Sequence, residues 1–269
     1  MVHWTLEDIP WERFDSQRVH SDMLAVVKAA SLVEYNADDY AAYLRNVFVD
    51  DADFQAQTYR WSAEEKQHGE ALGRWANLAD PGFDFAECVQ RFRDGYRVPV
   101  DAAASVRGSK PGELIARCVV ESATSSFYSA MHNAASEPVL RAICQRIAAD
   151  EFRHYRMFYD ALKRCQEKES VSRLQRARVA IGRYLEMDDD ELAYAFHCAN
   201  FPGEPYERQR ASKAYFRRAF QYYRESHMRR AIGMMAKAAG FDPGGRLAGC
   251  AAWVAWTYTR WNAHRLVTG

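Results

Sequence analysis

Twice in this chain a glutamate stands three residues ahead of a histidine in a stretch that reads as helix. The first is Trp61-Ser62-Ala63-Glu64-Glu65-Lys66-Gln67-His68-Gly69 and the second is Asp150-Glu151-Phe152-Arg153-His154. At that spacing the two side chains leave one face of a helix about a turn apart, so each pair can offer a carboxylate and an imidazole to the same cation. Two such pairs supply much of the ligand set of a dinuclear metal centre in a helix bundle, and one glutamate from each of two further helices would complete it. Glu34 in Ser31-Leu32-Val33-Glu34-Tyr35 and Glu121 in Cys118-Val119-Val120-Glu121-Ser122 are those glutamates, each preceded by apolar residues. Glu34 lies 31 residues before Glu65, and Glu121 lies 30 before Glu151. That separation is one helix, a short turn and half of the next, which sets each lone glutamate level with its partner motif in an antiparallel pair.

One such motif alone is weak evidence, because Glu and His are ordinary surface residues. Two copies, each led at a matched distance by a glutamate in an apolar helix, point to a metal site formed by Glu34, Glu65, His68, Glu121, Glu151 and His154. Hard carboxylates with neutral imidazoles suit two iron ions, or a manganese–iron pair, better than metals that prefer thiolate. Two adjacent reduced ions held there could jointly deliver electrons to dioxygen, with Glu65 and Glu151 as the expected bridges. A metal-bound histidine usually donates its other ring nitrogen to a carboxylate behind it. Asp150 and Glu64 immediately precede the bridging glutamates, and a crosswise arrangement is expected, Asp150 to His68 and Glu64 to His154. Trp61, one turn before Glu65, is either an electron relay or plain core.

The elements needed to position these residues follow from the periodicity. A helix over about Ser21–Asn46 places Leu24, Val27, Ala30, Ser31, Glu34 and Asp38 along one face. A second, after the acidic Asp50-Asp51, runs to about Leu78 and turns Phe54, Thr58, Trp61, Glu65, His68, Leu72 and Trp75 inward. A short amphipathic helix carrying Phe85, Val89 and Phe92 precedes an extended piece at Val98-Pro99. The third bundle helix starts near Gly112, with Leu114, Cys118, Glu121, Thr124 or Ser125, and Tyr128 inward. Its small residues, Ser122 to Ala130, mean close packing or a substrate cavity. The fourth starts at Glu137-Pro138 and runs to about Glu167 through Ile143, Ile147, Glu151, His154, Phe158 and Leu162. Helices over Val171–Glu186 and Asp189–Cys198, a long basic helix over Tyr206–Lys237 and a final aromatic helix with Trp253, Trp256, Tyr258 and Trp261 follow. Residues 1–20 read as an irregular lead-in whose aromatics pack on the bundle. The expected fold is all-α, a single domain over residues 1–269, with the ligand-bearing bundle at about 21–167 and a helical extension at about 170–265.

The 269 residues carry 36 Lys plus Arg against 36 Asp plus Glu. No global field therefore draws the chain to nucleic acid. No apolar run reaches the roughly 20 residues of a membrane span, and no leader pattern opens the chain, so a cytoplasmic protein is expected. The six cysteines are scattered without C-x-x-C pairs and read as reduced thiols.

The motif Arg60-Trp61-Ser62-Ala63-Glu64-Glu65-Lys66-Gln67-His68-Gly69-Glu70 resembles the W-[ST]-A-E-E-x-x-H-G-[DE] stretch of the soluble acyl-acyl-carrier-protein desaturases, a branch of the ferritin-like superfamily. Ala149-Asp150-Glu151-Phe152-Arg153-His154 resembles their A-D-E-x-R-H. Glu121-Ser122-Ala123-Thr124 resembles the E-x-x-T in which the threonine faces the oxygen-binding side of the metals. The resemblance covers about Ser21–Glu167 and implies a ferritin-like four-helix bundle with additional C-terminal helices. It also implies two iron ions, dioxygen as co-substrate, and desaturation of a fatty acyl chain on acyl-carrier protein, fed by a ferredoxin-type electron donor. Thr124 would then steer protons or hydrogen-bond oxygen, unless its hydroxyl merely bonds its own helix. A homodimer along the first bundle helices is expected on the same ground. The nine cations between Arg208 and Lys237 are either a docking face for the acidic carrier or a solvated helix face. The same ligand set also serves hydroxylases, other oxygenases and oxidases acting on other small substrates, and iron-storage or peroxide-removing proteins. The missing C-x-x-C module and the long C-terminal region speak against the storage class.

Overall fold

The computed structural model describes residues 3–186 and 190–268, with side chains to residue 261, and every regular element among them is helical. Three 3-10 turns, Leu6–Asp8, Trp11–Arg13 and Ser16–Arg18, lead into α1 (Ser21–Tyr35) and α2 (Ala37–Val47). Then come α3 (Ala52–Ala79), α4 (Phe85–Gly95), α5 (Lys110–Ala134) and α6 (Pro138–Lys168). The chain continues through α7 (Arg173–Leu185), α8 (Asp190–Asn200), α9 (Arg208–Phe220), α10 (Glu225–Ala238) and α11 (Arg246–Thr268).

Helix starts follow local chemistry. Asp51, Asp84 and Ser109 each accept a hydrogen bond from a backbone N–H in the first turn of α3, α4 and α5, satisfying donors that have no partner within the helix. Glu137 does the same at α6, accepting from the N–H groups of Val139 and Leu140, with Pro138 as the first helical residue. The same carboxylate accepts the Trp75 indole N–H at 2.7 Å and the Asp15 backbone N–H at 3.2 Å. One buried side chain thus ties α6 to α3 and to the lead-in.

The bundle consists of α1, α3, α5 and α6. The α5–α6 pair is the most extensively packed, followed by α1–α3, and α3 meets α6 across the centre. Serines on α5 pack rather than leave space. The Ser125 hydroxyl donates to the Ala148 carbonyl of α6 and Ser126 to the His227 carbonyl of α10, and Ser122 bonds back to Cys118 of its own helix. Of the two readings of the small residues on α5, close packing is the one observed. The C-terminal helices lie against this bundle, α7 and α10 on α5 and α8 on α1.

Three expectations change. The helix expected over Ser21–Asn46 is interrupted at Asn36, whose N–H bonds to Val33 in 3-10 fashion and whose Oδ1 accepts from Arg93. The interruption re-aims α2, so Asp38 points outward and pairs with Lys66 at 2.9 Å instead of joining the Glu34 face. The basic helix expected over Tyr206–Lys237 breaks between Phe220 and Glu225, although no Gly or Pro marks the place. Tertiary contacts break it: the Tyr222 hydroxyl meets His20 at 3.2 Å, Gln221 bonds Asp22, and Arg224 in extended conformation donates its N–H to His227. Its cations are divided between α9 and α10, with Arg218 pairing with Asp22 and Arg230 lying over the Phe152 ring. The lead-in is three ordered turns rather than irregular chain. Residue Asp189, where one helix was expected to begin, lies outside the described residues. All six cysteines are free, four of them buried and Cys250 exposed.

The α1–α3 contact is close because of Gly69. A Cβ there would stand 2.7 Å from both Cβ and backbone N of Tyr35 and 2.9 Å from the Ser31 carbonyl oxygen. Since Glu34 and His68 are the immediate neighbours of these residues, that approach sets how near they come. Gly69→Ala is expected to cost about 1–3 kcal/mol by overpacking and to lower metal content. Denaturant unfolding and metal analysis of the variant check this, and an unchanged midpoint with unchanged metal would refute it.

Candidate metal centre

Four helices contribute to one buried cluster, α3, α5 and α6 near their middles and α1 from its last turn. Glu34 comes from α1, Glu65 and His68 from α3, Glu121 from α5, and Glu151 and His154 from α6. One group of ligand atoms belongs to Glu34, Glu65, His68 and Glu151, and a second to Glu65, Glu121, Glu151 and His154, each with all its atoms within 4.8 Å of one another. Glu65 and Glu151 belong to both, the position a bridging ligand occupies. Both imidazoles turn Nδ1 inward. His68 Nδ1 lies 3.1 Å from Glu65, 3.3 Å from Glu151 and 3.8 Å from Glu34. His154 Nδ1 lies 3.0 Å from Glu65, 3.7 Å from Glu121 and 3.8 Å from Glu151.

The residues present fit a pair of cations. Isolated carboxylates are costly to bury, and four of them share this space. Three buried ligand atoms, Glu121 Oε2, Glu151 Oε1 and His154 Nδ1, have no hydrogen-bond partner, and all three belong to this cluster. Buried polar atoms are rarely left this way unless something else satisfies them. Burial and the nearby Glu65 charge push Glu34 up to about 8, and burial with the charges of Glu65 and Glu34 pushes Glu151 up to about 7. Burial and the Glu151 charge raise Glu121 well above the carboxylate range. Burial also acts to raise Glu65, but the charges and hydrogen bonds of His154 and His68 outweigh it and hold Glu65 well below that range.

Behind the histidines the two helices exchange partners. His68 Nε2 lies 3.0 Å from Asp150 Oδ2, and His154 Nε2 lies 2.8 Å from Glu64 Oε2. Each bond joins α3 to α6, and once a cation displaces the inner proton each would leave the Nδ1 lone pair of the neutral imidazole facing inward. Arg153 closes the arrangement by bonding both Asp150 and Glu64.

Sequence reasoning did not give Trp4 a place here. Its indole N–H donates to Asp150 Oδ2 at 2.7 Å and its ring stacks on His68, with planes 4° apart and centroids at 6.0 Å. A hydrogen-bonded line therefore runs from the lead-in through Asp150 and His68 to the cluster. No spacing rule could have placed a residue 146 positions from Asp150. Trp61, considered for a relay, sits edge-on to Phe158 at 5.6 Å, and its buried N–H bonds nothing. The Thr124 hydroxyl faces Glu151 Oε2 in a short contact and also lies 3.2 Å from the Val120 carbonyl, so the functional and local readings of it share one proton. Tyr128, expected only as an inward residue, donates its hydroxyl to Glu34 Oε1.

Beside the carboxylates, between α2, α5, α7 and α8, is a cavity of about 80 Å3. Glu34, Glu65, Glu121, Glu151, Thr124 and Trp61 form one wall, and Tyr40, Arg117, Arg183 and Glu191 line the remainder. Arg117 was also missed, although it stands four residues before Glu121 and so shares its face of α5.

Comparison with known proteins agrees with this arrangement. The family model described as fatty acid desaturase matches residues 13–187, well over half of the chain and all four helices that carry the cluster. The chain belongs to that family. A search of curated proteins gave no match.

Two outcomes follow. Burial and neighbouring charges raise Glu34 and Glu151, and carboxylate contacts outweigh burial to raise His68 and His154 well above the usual imidazole range. For all four groups the folded value exceeds the unfolded one, so their contribution to stability is complete at low pH and is lost as pH rises through the folded values. The metal-free chain should therefore lose stability from about pH 5 to pH 8, and added Fe(II) or Mn(II), which takes the place of those protons, should raise Tm more at pH 8 than at pH 6. A metal-induced shift that shrinks with pH would contradict this. Asp150→Asn should weaken metal binding by about 10–100-fold with the helix content retained, measured by competition with a chromophoric chelator.

Proposed function

We propose that this chain is a di-iron, dioxygen-dependent oxidoreductase that desaturates an acyl chain. The observation that carries the reading is the pair of ligand groups sharing Glu65 and Glu151 inside a chain of the fatty acid desaturase family. Glu34, Glu65, His68 and Glu151 would hold one ion, and Glu65, Glu121, Glu151 and His154 the other, as two irons or a manganese–iron pair. A reduced pair supplies the electrons that dioxygen needs before it can attack a C–H bond. The protein's own residues hold the geometry and the protons. Asp150 and Glu64 fix the imidazole tautomers, Thr124 presents a hydroxyl at Glu151, and Tyr128 holds Glu34 from the opposite side.

The family resemblance supplies the remaining parts of the reading. These are acyl-carrier protein as carrier of the substrate, a ferredoxin-type electron donor, a homodimer along the first bundle helices, and one ferritin-like domain over the whole chain in the cytoplasm. No helix of the described residues is long and apolar enough to cross a membrane.

One observation favours a second reading, hydroxylation or another oxygenation of a small substrate at the same centre. The cavity that touches the ligands has room for roughly half a dozen water-sized groups and contains charged side chains. An apolar groove of about 720 Å3 suited to a long chain lies instead between α7, α10 and α11, lined by residues such as Ile181, Ile232, Met235 and Val254. It shares no lining residue with the ligand cluster.

The test is turnover of the iron-loaded chain with a chemical or ferredoxin reductant, using acyl-carrier-protein thioesters and free acids, followed by mass spectrometry of the products. Loss of two hydrogens marks desaturation and gain of one oxygen marks the second reading. A chain that takes up neither iron nor manganese, and whose stability a chelator leaves unchanged, would refute both.

A further inference from the structure

Eight of the thirteen large apolar side chains exposed among the described residues stand on only two helices. Leu174, Ile181 and Leu185 belong to α7, and Leu247, Trp253, Val254, Tyr258 and Trp261 to α11. Leu174 is 80% exposed and Leu247 71%. Monomeric surfaces rarely leave such residues contiguous, and here the spacing makes them so. Leu174, Ile181 and Leu185 follow one another by seven and four residues, and Leu247, Val254, Tyr258 and Trp261 by seven, four and three, so each set forms one stripe along its helix. Between the stripes lies the groove of about 720 Å3, where Ile181, Leu185, Leu247, Val254 and Tyr258 meet a lining rich in alanine. The alanines keep the groove open, because from those positions nothing larger than a methyl group reaches into it.

The charge on this face has one sign. Neither α7 nor α11 contains Asp or Glu, although the whole chain balances 36 Lys plus Arg against 36 Asp plus Glu. Arg176 and Arg183 turn inward, the first to Gln166 and the Ala238 carbonyl, the second to the cavity beside the ligand carboxylates. Arg173, Arg178, Arg246 and Arg260 are exposed, and among the described residues none of these four enters an ion pair. Arg178 stands within the α7 stripe, four residues after Leu174 and three before Ile181, while Arg246 and Arg260 directly precede Leu247 and Trp261. Of the acids that border the two helices, Glu186 pairs with Arg107, and Asp242 accepts the Gly244 N–H in the turn before α11.

An apolar face with unpaired arginines and no acid is complementary to a layer that is apolar inside and anionic at its surface. Arginines reach head groups from beside buried apolar neighbours, and Trp and Tyr favour the level between the two. A second copy of the chain is the poorer partner, because pairing this face with itself sets arginines against arginines. An acidic protein would satisfy the arginines but would have to bring a ridge shaped to the groove, whereas a lipid chain fills an irregular apolar channel by its own flexibility.

We propose that the α7–α11 face seats this protein on an anionic lipid bilayer, with both stripes in the interface and a lipid acyl chain in the groove. The protein lies on the bilayer and does not cross it, in keeping with the absence of a spanning helix among the described residues. The inference is independent of the metal centre, whose cavity shares no lining residue with the groove.

Co-sedimentation of the full chain with sucrose-loaded vesicles tests it. The chain should bind vesicles of phosphatidylcholine mixed with phosphatidylglycerol, bind phosphatidylcholine alone far more weakly, and come off as salt is raised. The triple variant Arg173→Gln/Arg178→Gln/Arg246→Gln should weaken partitioning by about 100-fold, at roughly fivefold per arginine. Ile181→Glu/Val254→Glu puts a charge into each stripe and should abolish binding with helix content unchanged, since both positions are solvent-exposed. Lipids with brominated acyl chains should quench tryptophan fluorescence of the wild-type chain, and Trp253→Phe/Trp261→Phe should lose most of that quenching. A chain that ignores anionic vesicles, one that binds neutral vesicles equally well, or an Ile181→Glu/Val254→Glu variant that still binds overturns the inference. So does a dimer in solution that this variant splits, which assigns the face to a second copy. Binding of acyl-carrier protein that the variant abolishes, with vesicles ignored, likewise overturns it in favour of an acidic protein. The metal-free chain should bind vesicles as the loaded chain does, so the failure of either reading leaves the other standing.

Discussion

Four carboxylates gathered at the centre of a helix bundle are the constraint on which the remainder of this structure rests. Removing even one ionised carboxylate from water costs several kcal/mol unless something compensates it, and Glu34, Glu65, Glu121 and Glu151 are all removed together. Two histidines cannot neutralise four such charges. The protein alone therefore meets the cost by keeping protons on groups that would ordinarily lose them, and a pair of divalent cations would meet it by charge and coordination. Among the described residues this is why the orphaned carboxylate acceptors lie here and not elsewhere in the core.

The same constraint accounts for the surrounding architecture. A ligand set drawn from four helices is only as precise as the contacts between them. Gly69 lets α1 approach α3 to backbone distance, and the exchanged pairs His68–Asp150 and His154–Glu64 join α3 to α6. Glu137 fixes the start of α6 against Trp75 and Asp15. Polar contacts like these contribute modest net stability, but they select one arrangement where an apolar interface would tolerate several. Trp4 extends the selection to the lead-in, covering His68 with its ring and holding Asp150 with its N–H.

The C-terminal helices complete the site rather than merely enlarging the fold. Glu191 of α8 and Arg183 of α7 line the far wall of the cavity, opposite the ligand carboxylates. The cavity beside the cluster is therefore bounded on one side by the bundle and on the other by α2, α7 and α8.

What the sequence determined by itself was the part governed by local period and residue type. Glu-x-x-His spacing places ligands on one helix face whatever the neighbours do, and matched intervals of 30 and 31 residues align antiparallel helices by length alone. The inward faces of α3, α5 and α6, and the contacts of Asp150 and Glu64 with the opposite histidines, were legible for that reason. The breaks at Asn36 and between Phe220 and Glu225 were not, because no Gly or Pro marks them and contacts with Arg93, His20 and Asp22 decide them. Trp4 and the cavity around Arg117 belong to the same class. They depend on residues more than a hundred positions apart meeting across packed helices, and periodicity within one helix carries no information about which side chains another helix brings to it.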